Sequence, residues 1–112
     1  MKKGDDTVYL RHMLDAIARV QEYTRDTSYD QFLTNPLVQD GVIRQLEILG
    51  EAANSVSDLF CETHPDIPWA PMVGIRNRLI HAYFDVDLAI IWDTVQNDLV
   101  PLRAKIELAL EQ

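Results

Sequence analysis

The residues of this sequence that are best suited to chemistry lie close together, at positions 76 to 83. They are Arg76, Asn77, Arg78, His81 and Tyr83. Arginine offers a permanently charged, fork-shaped set of donors for phosphate oxygens, and a histidine can act as an acid or a base near neutral pH. Cleaving RNA without a metal requires a base for the ribose 2′-hydroxyl, an acid for the leaving 5′-oxygen and a cation beside the phosphorus. These residue types are therefore compatible with phosphodiester cleavage.

Helical geometry alone does not assemble these residues into a site. At about 100° per residue, Arg76 and Tyr83 fall on nearly the same helix face, two turns apart. Asn77 and His81 are one turn apart. His81, however, lies about 140° around the helix from Arg76. From the spacing alone, a surface or helix-capping histidine therefore remains an open alternative to a catalytic one.

The charge of the chain limits how it could bind RNA. The formal net charge of −8 argues against broad, charge-driven nucleic-acid binding. Residues 67–84 nevertheless contain no acidic residue, while Arg76, Arg78 and His81 all lie inside this stretch. Any RNA contact is therefore expected to be local to it. A buried helix that simply lacks carboxylates would explain the same pattern.

Other candidate sites are weaker. Cys61 and His64 have a spacing seen in metal sites, but the sequence has no second Cys/His pair to complete one. Glu47 and Glu51, one helical turn apart, lack matching ligands elsewhere, and we interpret them as residues of a polar face or a dimer cleft. There is no glycine-rich phosphate loop and no Ser/His/Asp pattern. We therefore expect neither a metal nor a cofactor.

Length and composition favour one helical domain over residues 1–112. Of these residues 47% are hydrophobic, which suits a real core, and only 4 Gly and 5 Pro are present. No apolar run reaches the roughly 18 to 20 residues that cross a bilayer. The single cysteine suits a reducing compartment. We expect a cytoplasmic protein that does not associate with a membrane.

Four helical stretches are predicted to position residues 76–83. The first runs from about residue 5 or 6 to 26, and Ser28 could begin an extra turn. The second is capped by Asn35 and ends between residues 61 and 64, with apolar positions at steps of 4, 3, 4, 3 and 4 from Val42. Gly50 inside this central helix suggests a close helix crossing.

The third and fourth helices complete the predicted bundle. The third begins between residues 69 and 71 and ends at His81 or Tyr83. The fourth follows the candidate caps Asp85 and Asp87, and Pro101 should kink or split it near residue 98. Short connections between four main helices predict an all-α, up-and-down helical bundle.

The arrangement Arg76-x4-His81-x-Tyr83 resembles the Arg-x4-His-x-Tyr motif of the HEPN ribonucleases. Over nearly its whole length the chain is similar to the HepT-like toxins, small HEPN proteins encoded beside a minimal nucleotidyltransferase antitoxin, MntA. Residues 43–54, 67–69, 84–87 and 91–95 resemble segments that this family has in the same order. Two departures are the uncharged residues 70–72 and Ala82, which replaces a common glycine.

The resemblance implies a role for each residue. Family members are helical bundles that form homodimers and bring two motifs together in one cleft. Arg76 would bind and polarise the scissile phosphate, and His81 would be the acid or base. Asn77, Arg78 and Tyr83 would support the site or contact the phosphate or RNA. Tyr83 resembles the tyrosine that the antitoxin modifies with AMP, whose phosphate would occupy the substrate's position near the arginine.

The leading hypothesis is therefore the toxin of a type VII-like toxin–antitoxin pair. It would be a metal-independent endoribonuclease that cleaves transfer RNA or messenger RNA through 2′-hydroxyl attack. The alternative is a non-catalytic subunit that binds nucleotide or substrate for a minimal nucleotidyltransferase. Both hypotheses place Arg76 and His81 at a phosphate. An inert helical interaction module would leave the polar cluster at positions 76–83 unexplained.

Overall fold

The computed structural model describes residues 3–81 and 86–111, and their regular structure is entirely helical. The helices are α1 (Lys3–Thr24), α2 (Tyr29–Leu33), α3 (Pro36–Ser55), α4 (Asp58–Thr63), α5 (Trp69–His81), α6 (Leu88–Asp93) and α7 (Leu99–Leu110). A π-helical turn, Thr94–Asp98, joins α6 to α7. The four long stretches are α1, α3, α5 and the run from α6 to α7. The prediction of an all-α helical bundle is confirmed.

Helix starts in the structure follow the capping signals in the sequence. The side chain of Asn35 accepts a hydrogen bond from the Val38 amide at 3.2 Å, with Pro36 in the first helical position. Ser28 caps α2 in a reciprocal capping box with Gln31. Asp87 caps α6 by accepting from two backbone amides. The other proposed cap of the fourth helix, Asp85, lies outside the described residues.

The predicted second helix is interrupted, contrary to the expectation that it continues to residues 61–64. It ends at Ser55, Val56 is extended, and Ser57 caps a separate helix, α4. The reason is a tertiary contact: the carboxylate of Asp6 in α1 accepts hydrogen bonds from the Ser57 amide at 2.8 Å and its hydroxyl at 2.7 Å. This contact stabilises the Ser57 cap and favours a break over a continuous helix.

The expected irregularity before Pro101 is a π-helical turn. Proline lacks the amide that would donate to the carbonyl four residues earlier, and its ring crowds that carbonyl. The turn ends at Asp98, and regular α-helix resumes at Leu99. The irregularity thus lies where the sequence predicted a kink or split.

The core is formed by the apolar positions that share one face in each long helix. In α1, Met13 and Ile17 are fully buried, and in α3 Val42 is fully buried. The core-facing positions of the C-terminal stretch are Ile91, Val95, Leu99, Leu102, Ile106 and Ala109. Helix α3 packs against both α1 and α5 and is therefore central, as its long apolar seam predicted. No helix of the described residues is both long enough and apolar enough to cross a membrane.

Candidate active site on helix α5

Helix α5 crosses α3 at Gly50, and the two backbones approach more closely there than another residue would allow. A Cβ atom built on Gly50 would overlap the Cβ of Arg76 and lie 2.7 Å from the carbonyl oxygen of Met72. Only a residue without a side chain fits beneath α5 at this point. The close crossing predicted from this glycine is confirmed, and it fixes the position at which the Arg76 side chain leaves α5.

The guanidinium of Arg76 is held at both of its terminal nitrogens. Nη2 forms an ion pair with Oε1 of Glu51 in α3 at 2.5 Å, and Nη1 donates to Oδ1 of Asn77 at 2.7 Å. The third nitrogen, Nε, is buried and has no hydrogen-bond partner among the described residues. The side chain of Arg76 is 25% exposed and that of Glu51 is 58% exposed. The end of the guanidinium that carries Nη1 and Nη2 is therefore the end able to receive a ligand.

The Arg76–Glu51 ion pair contributes little to the stability of the fold. Pairs as exposed as this one are worth about 0 to 1 kcal/mol, because water screens the attraction and ordering the side chains costs entropy. Its main consequence is geometric, since the two partners come from different helices. It orients Arg76, which is less exposed than Arg78 and His81.

The ion pair lies at the edge of a shallow groove of about 290 Å³. Helix α1 contributes Tyr9 and His12, and α5 contributes Ile80. The remaining lining residues belong to α3: Arg44, Glu47, Ile48, Glu51, Ala52 and Ser55. Two of these, Arg44 and Glu47, pair with each other at 3.5 Å. Apolar, acidic and basic side chains therefore line a groove that borders α5, the helix that carries Arg76 and His81.

The structure separates the other predicted residues around α5. His81 is exposed in the last turn, about 7.5 Å along the axis from Arg76 and about 140° around it. Arg78 is also exposed, but it lines a different groove of about 260 Å³ between α5 and α6. Among the predicted residues that the structure describes, Asn77 alone is joined to Arg76 by a hydrogen bond. The modification candidate, Tyr83, lies outside the described residues.

The contact of Glu51 with Arg76 is the part of the site that the sequence did not identify. The sequence predicted only that Glu47 and Glu51 belong to a polar face or a dimer cleft, and in the structure each glutamate pairs with a different arginine. The available signal was the neighbouring Gly50, because a residue beside a close crossing must contact the crossing helix. Without knowledge of which helix crosses there, its partner could not be named.

The Cys61 and His64 pair is part of the end of α4. The backbone amide of His64 donates to the carbonyl of Cys61 at 3.2 Å, and the His64 ring stacks on Phe60. Burial, together with the nearby Asp58 and Asp6, raises the pKa of the Cys61 thiol. A raised pKa lowers the thiolate fraction at neutral pH and makes Cys61 a poor nucleophile. Within residues 3–81 and 86–111, no three His, Cys, Asp or Glu residues are grouped to hold a metal.

Comparison with known proteins identifies the family. Residues 13–109 match the family model described as "Ribonuclease HepT-like". The chain is 42% identical over 99 residues to "Probable ribonuclease HepT" of Thermococcus cleftensis, covering 88% of this chain and 90% of that protein. It is 38% identical over 108 residues to "Putative RNase MJ1380" of Methanocaldococcus jannaschii, covering 96% and 99% of the two chains.

A third relative carries a second activity in its name. The chain is 39% identical over 110 residues to "Gamma-glutamylcyclotransferase and putative RNase MJ0434" of Methanocaldococcus jannaschii, covering 98% of this chain but 50% of that protein. No solved structure gives a significant match to the chain. The match to the family model, residues 13–109, includes the positions of Gly50, Arg76 and His81. The chain belongs to the HepT-like ribonuclease family.

Proposed function

We propose that this protein is a metal-independent endoribonuclease that uses Arg76 and His81. The observation that carries the proposal is an arginine fixed at a helix crossing, with its terminal nitrogens at the surface, on the same helix as an exposed histidine. Family membership supports the same activity, because relatives at 30 to 42% identity are named as ribonucleases.

The proposed reaction is a transesterification that uses a base, an acid and a cation. A base removes the proton of a ribose 2′-hydroxyl, and the oxygen attacks the adjacent phosphorus. The bond between phosphorus and the 5′-oxygen then breaks, and an acid returns a proton to that oxygen. The products carry a 2′,3′-cyclic phosphate and a 5′-hydroxyl. Arg76 would stabilise the charge that develops on the phosphate oxygens, and His81 would transfer a proton.

A homodimer would complete this chemistry. In-line attack places the nucleophile and the leaving group on opposite sides of the phosphorus, so that base and acid must approach from two directions. One chain supplies one His81, and α5 turns it about 140° away from Arg76. Two chains with their α5 helices at one cleft would supply two histidines and two arginines. We therefore propose that the active form is a dimer, with Asn77 and Arg78 supporting the phosphate or the flanking RNA.

We also propose how the activity is controlled. A nucleotidyltransferase antitoxin similar to MntA would transfer AMP from ATP to the hydroxyl of Tyr83, with release of pyrophosphate. Tyr83 follows His81 by two residues, so the added phosphate would compete with RNA for Arg76. The unmodified protein would be a cytoplasmic toxin that cleaves transfer RNA or messenger RNA.

The test is cleavage of total RNA by the purified chain in EDTA, beside Arg76→Ala and His81→Ala. We expect each variant to remain folded and dimeric and to lose activity by about 10²- to 10⁴-fold, the range for removing a catalytic acid, base or charge-stabilising donor. Arg19→Ala is the matched control, because Arg19 is an exposed arginine of α1 that does not line the groove beside Arg76. It should cleave at the parent rate.

Two results would overturn the proposal. If both variants cleave like the parent, the site assignment is wrong. If the unmodified, dimeric parent cleaves no RNA and its expression alone does not slow growth, the chain is better explained as a nucleotide- or substrate-binding subunit of a nucleotidyltransferase.

A further inference from the structure

We infer that Glu51 is a positioning residue for Arg76, which sets the orientation of the guanidinium that receives the scissile phosphate. This inference rests on the proposed ribonuclease activity and adds to it a residue from a different helix. Glu51 would not touch the reacting atoms. It would act through the arginine.

The geometry leaves the guanidinium few other means of being held. Its Cβ is fixed against Gly50, but several rotatable bonds separate that point from the charged end. Nε is buried without a partner and so does not anchor the group by a hydrogen bond. The orientation therefore depends on the two terminal nitrogens, which contact Glu51 and Asn77. Each of them carries two hydrogens, so each contact leaves one hydrogen for a phosphate oxygen.

The two contacts are not equivalent. Asn77 is the next residue of α5 and is exposed, so it moves together with Arg76. Glu51 belongs to α3, which also packs on α1, and its contact ties the guanidinium to the central helix of the bundle. A carboxylate also makes a shorter and stronger hydrogen bond to a guanidinium than a neutral amide does. Glu51 is therefore the contact expected to hold the arginine in place before RNA binds.

The same carboxylate should have an opposite effect on binding. Glu51 is more than half exposed at the groove edge, and its negative charge repels an approaching phosphate. It therefore weakens RNA binding while it orients the cation for the chemical step. Removing a group of this kind should lower kcat and should not raise KM. A residue that only maintained the fold would not separate the two constants in this way.

The experiment measures kcat and KM for Glu51→Gln and Glu51→Ala. Glutamine keeps an acceptor without the charge, and alanine removes both. We expect kcat to fall about tenfold for Gln and about 100-fold for Ala, since a small misplacement of a catalytic group costs about 10²-fold. KM should stay equal or decrease. Melting temperatures should stay close to that of the parent, because the pair is exposed.

Glu47→Gln is the matched control. Glu47 lies one turn earlier on α3, lines the same groove and pairs with Arg44 rather than Arg76. Glu47→Gln removes the same charge from the same groove but keeps the contact between Glu51 and Arg76. The kcat of this variant should therefore equal the parent value. An equal loss of kcat in Glu47→Gln would assign the effect to local charge and overturn the positioning role. The positioning role would also be overturned if kcat in the Glu51 variants fell only in proportion to their loss of folded protein.

A binding measurement separates failure of this inference from failure of the proposed function. An RNA with 2′-O-methyl riboses lacks the nucleophile and reports binding alone. We expect Glu51→Gln to bind it at least as tightly as the parent does. If the parent cleaves ordinary RNA but the Glu51 variants have unchanged kcat, the inference is wrong and the ribonuclease stands. If the parent binds the 2′-O-methyl RNA but cleaves no ordinary RNA, both the proposed function and this inference are wrong.

Discussion

Helix α3 has two contact sides that are built in different ways. On the side that packs against α1, the core contains Met13, Ile17 and Val42, each with 0% of its surface exposed. On the side that crosses α5, the contact point is Gly50, and the side chain that lies across it is an arginine. The first side excludes water with large apolar groups. The second brings two backbones together and presents a charge at the surface.

The surroundings of α5 extend this contrast. Of its thirteen residues, only Met72 and Leu79 are buried. One flank borders a groove of about 300 Å³ shared with α3 and the stretch from Thr94 to Lys105, and the other flank borders the groove of about 260 Å³ next to α6. Helix α5 is therefore held largely at its crossing with α3. The packing of α1 on α3 therefore supplies the large buried apolar side chains, whereas the crossing of α3 with α5 positions the arginine.

The largest expected effect is on the α1 side. Ile17→Ala should lower the free energy of unfolding by about 4 kcal/mol, because it removes most of a fully buried side chain and leaves a cavity in the core. Leu79→Ala in α5 should cost about 2 kcal/mol, since Leu79 already borders a groove. Urea unfolding monitored by circular dichroism measures both values. A larger loss for Leu79→Ala would contradict the assignment of stability to the α1 side.

The next effect tests the crossing itself. Gly50→Ala should cost about 2 kcal/mol, because the new methyl group meets the Cβ of Arg76 and the backbone of Met72, neither of which is a flexible side-chain end. Helix α5 has to move away from α3, and Arg76 moves with it. We expect RNA cleavage to be lost even at temperatures where the variant is folded. Parent-like cleavage by folded Gly50→Ala would show that the close approach is not needed to place the arginine.

Much of the fold could be predicted from the sequence because its signals are local. The seam of α3 and the caps Ser28, Asn35 and Asp87 depend on residues a few positions apart, and the structure confirms them. The break at Val56 was missed because its cause, Asp6, lies 51 residues away from Ser57 in the chain. A local pattern carries no information about that contact.

In the candidate site too, the local features could be predicted from the sequence and the tertiary contacts could not. The placement of Arg76 and His81 on α5 follows from helical periodicity and is observed, whereas their roles stay predictions. The pairing of Arg76 with Glu51 could not be read from the sequence, because it depends on which helix crosses at Gly50. Likewise, the orientation of Arg78 toward α6 requires the bundle to be assembled first.

The smallest expected effect comes from the same substitution at Gly74, the glycine of α5 that lies outside this contact. Gly74 lies within α5, two residues before Arg76, and a Cβ built there meets nothing within 4 Å. Gly74→Ala should stabilise the protein by about 0.5 to 1 kcal/mol, because alanine loses less backbone entropy in a helix than glycine. Thermal unfolding of the two variants should therefore show a higher melting temperature than the parent for Gly74→Ala and a lower one for Gly50→Ala. Since the space at Gly74 is open in a single chain, a loss of dimer or of cleavage in Gly74→Ala would mean that a second chain covers this face. That result would place the partner against α5 rather than against α1.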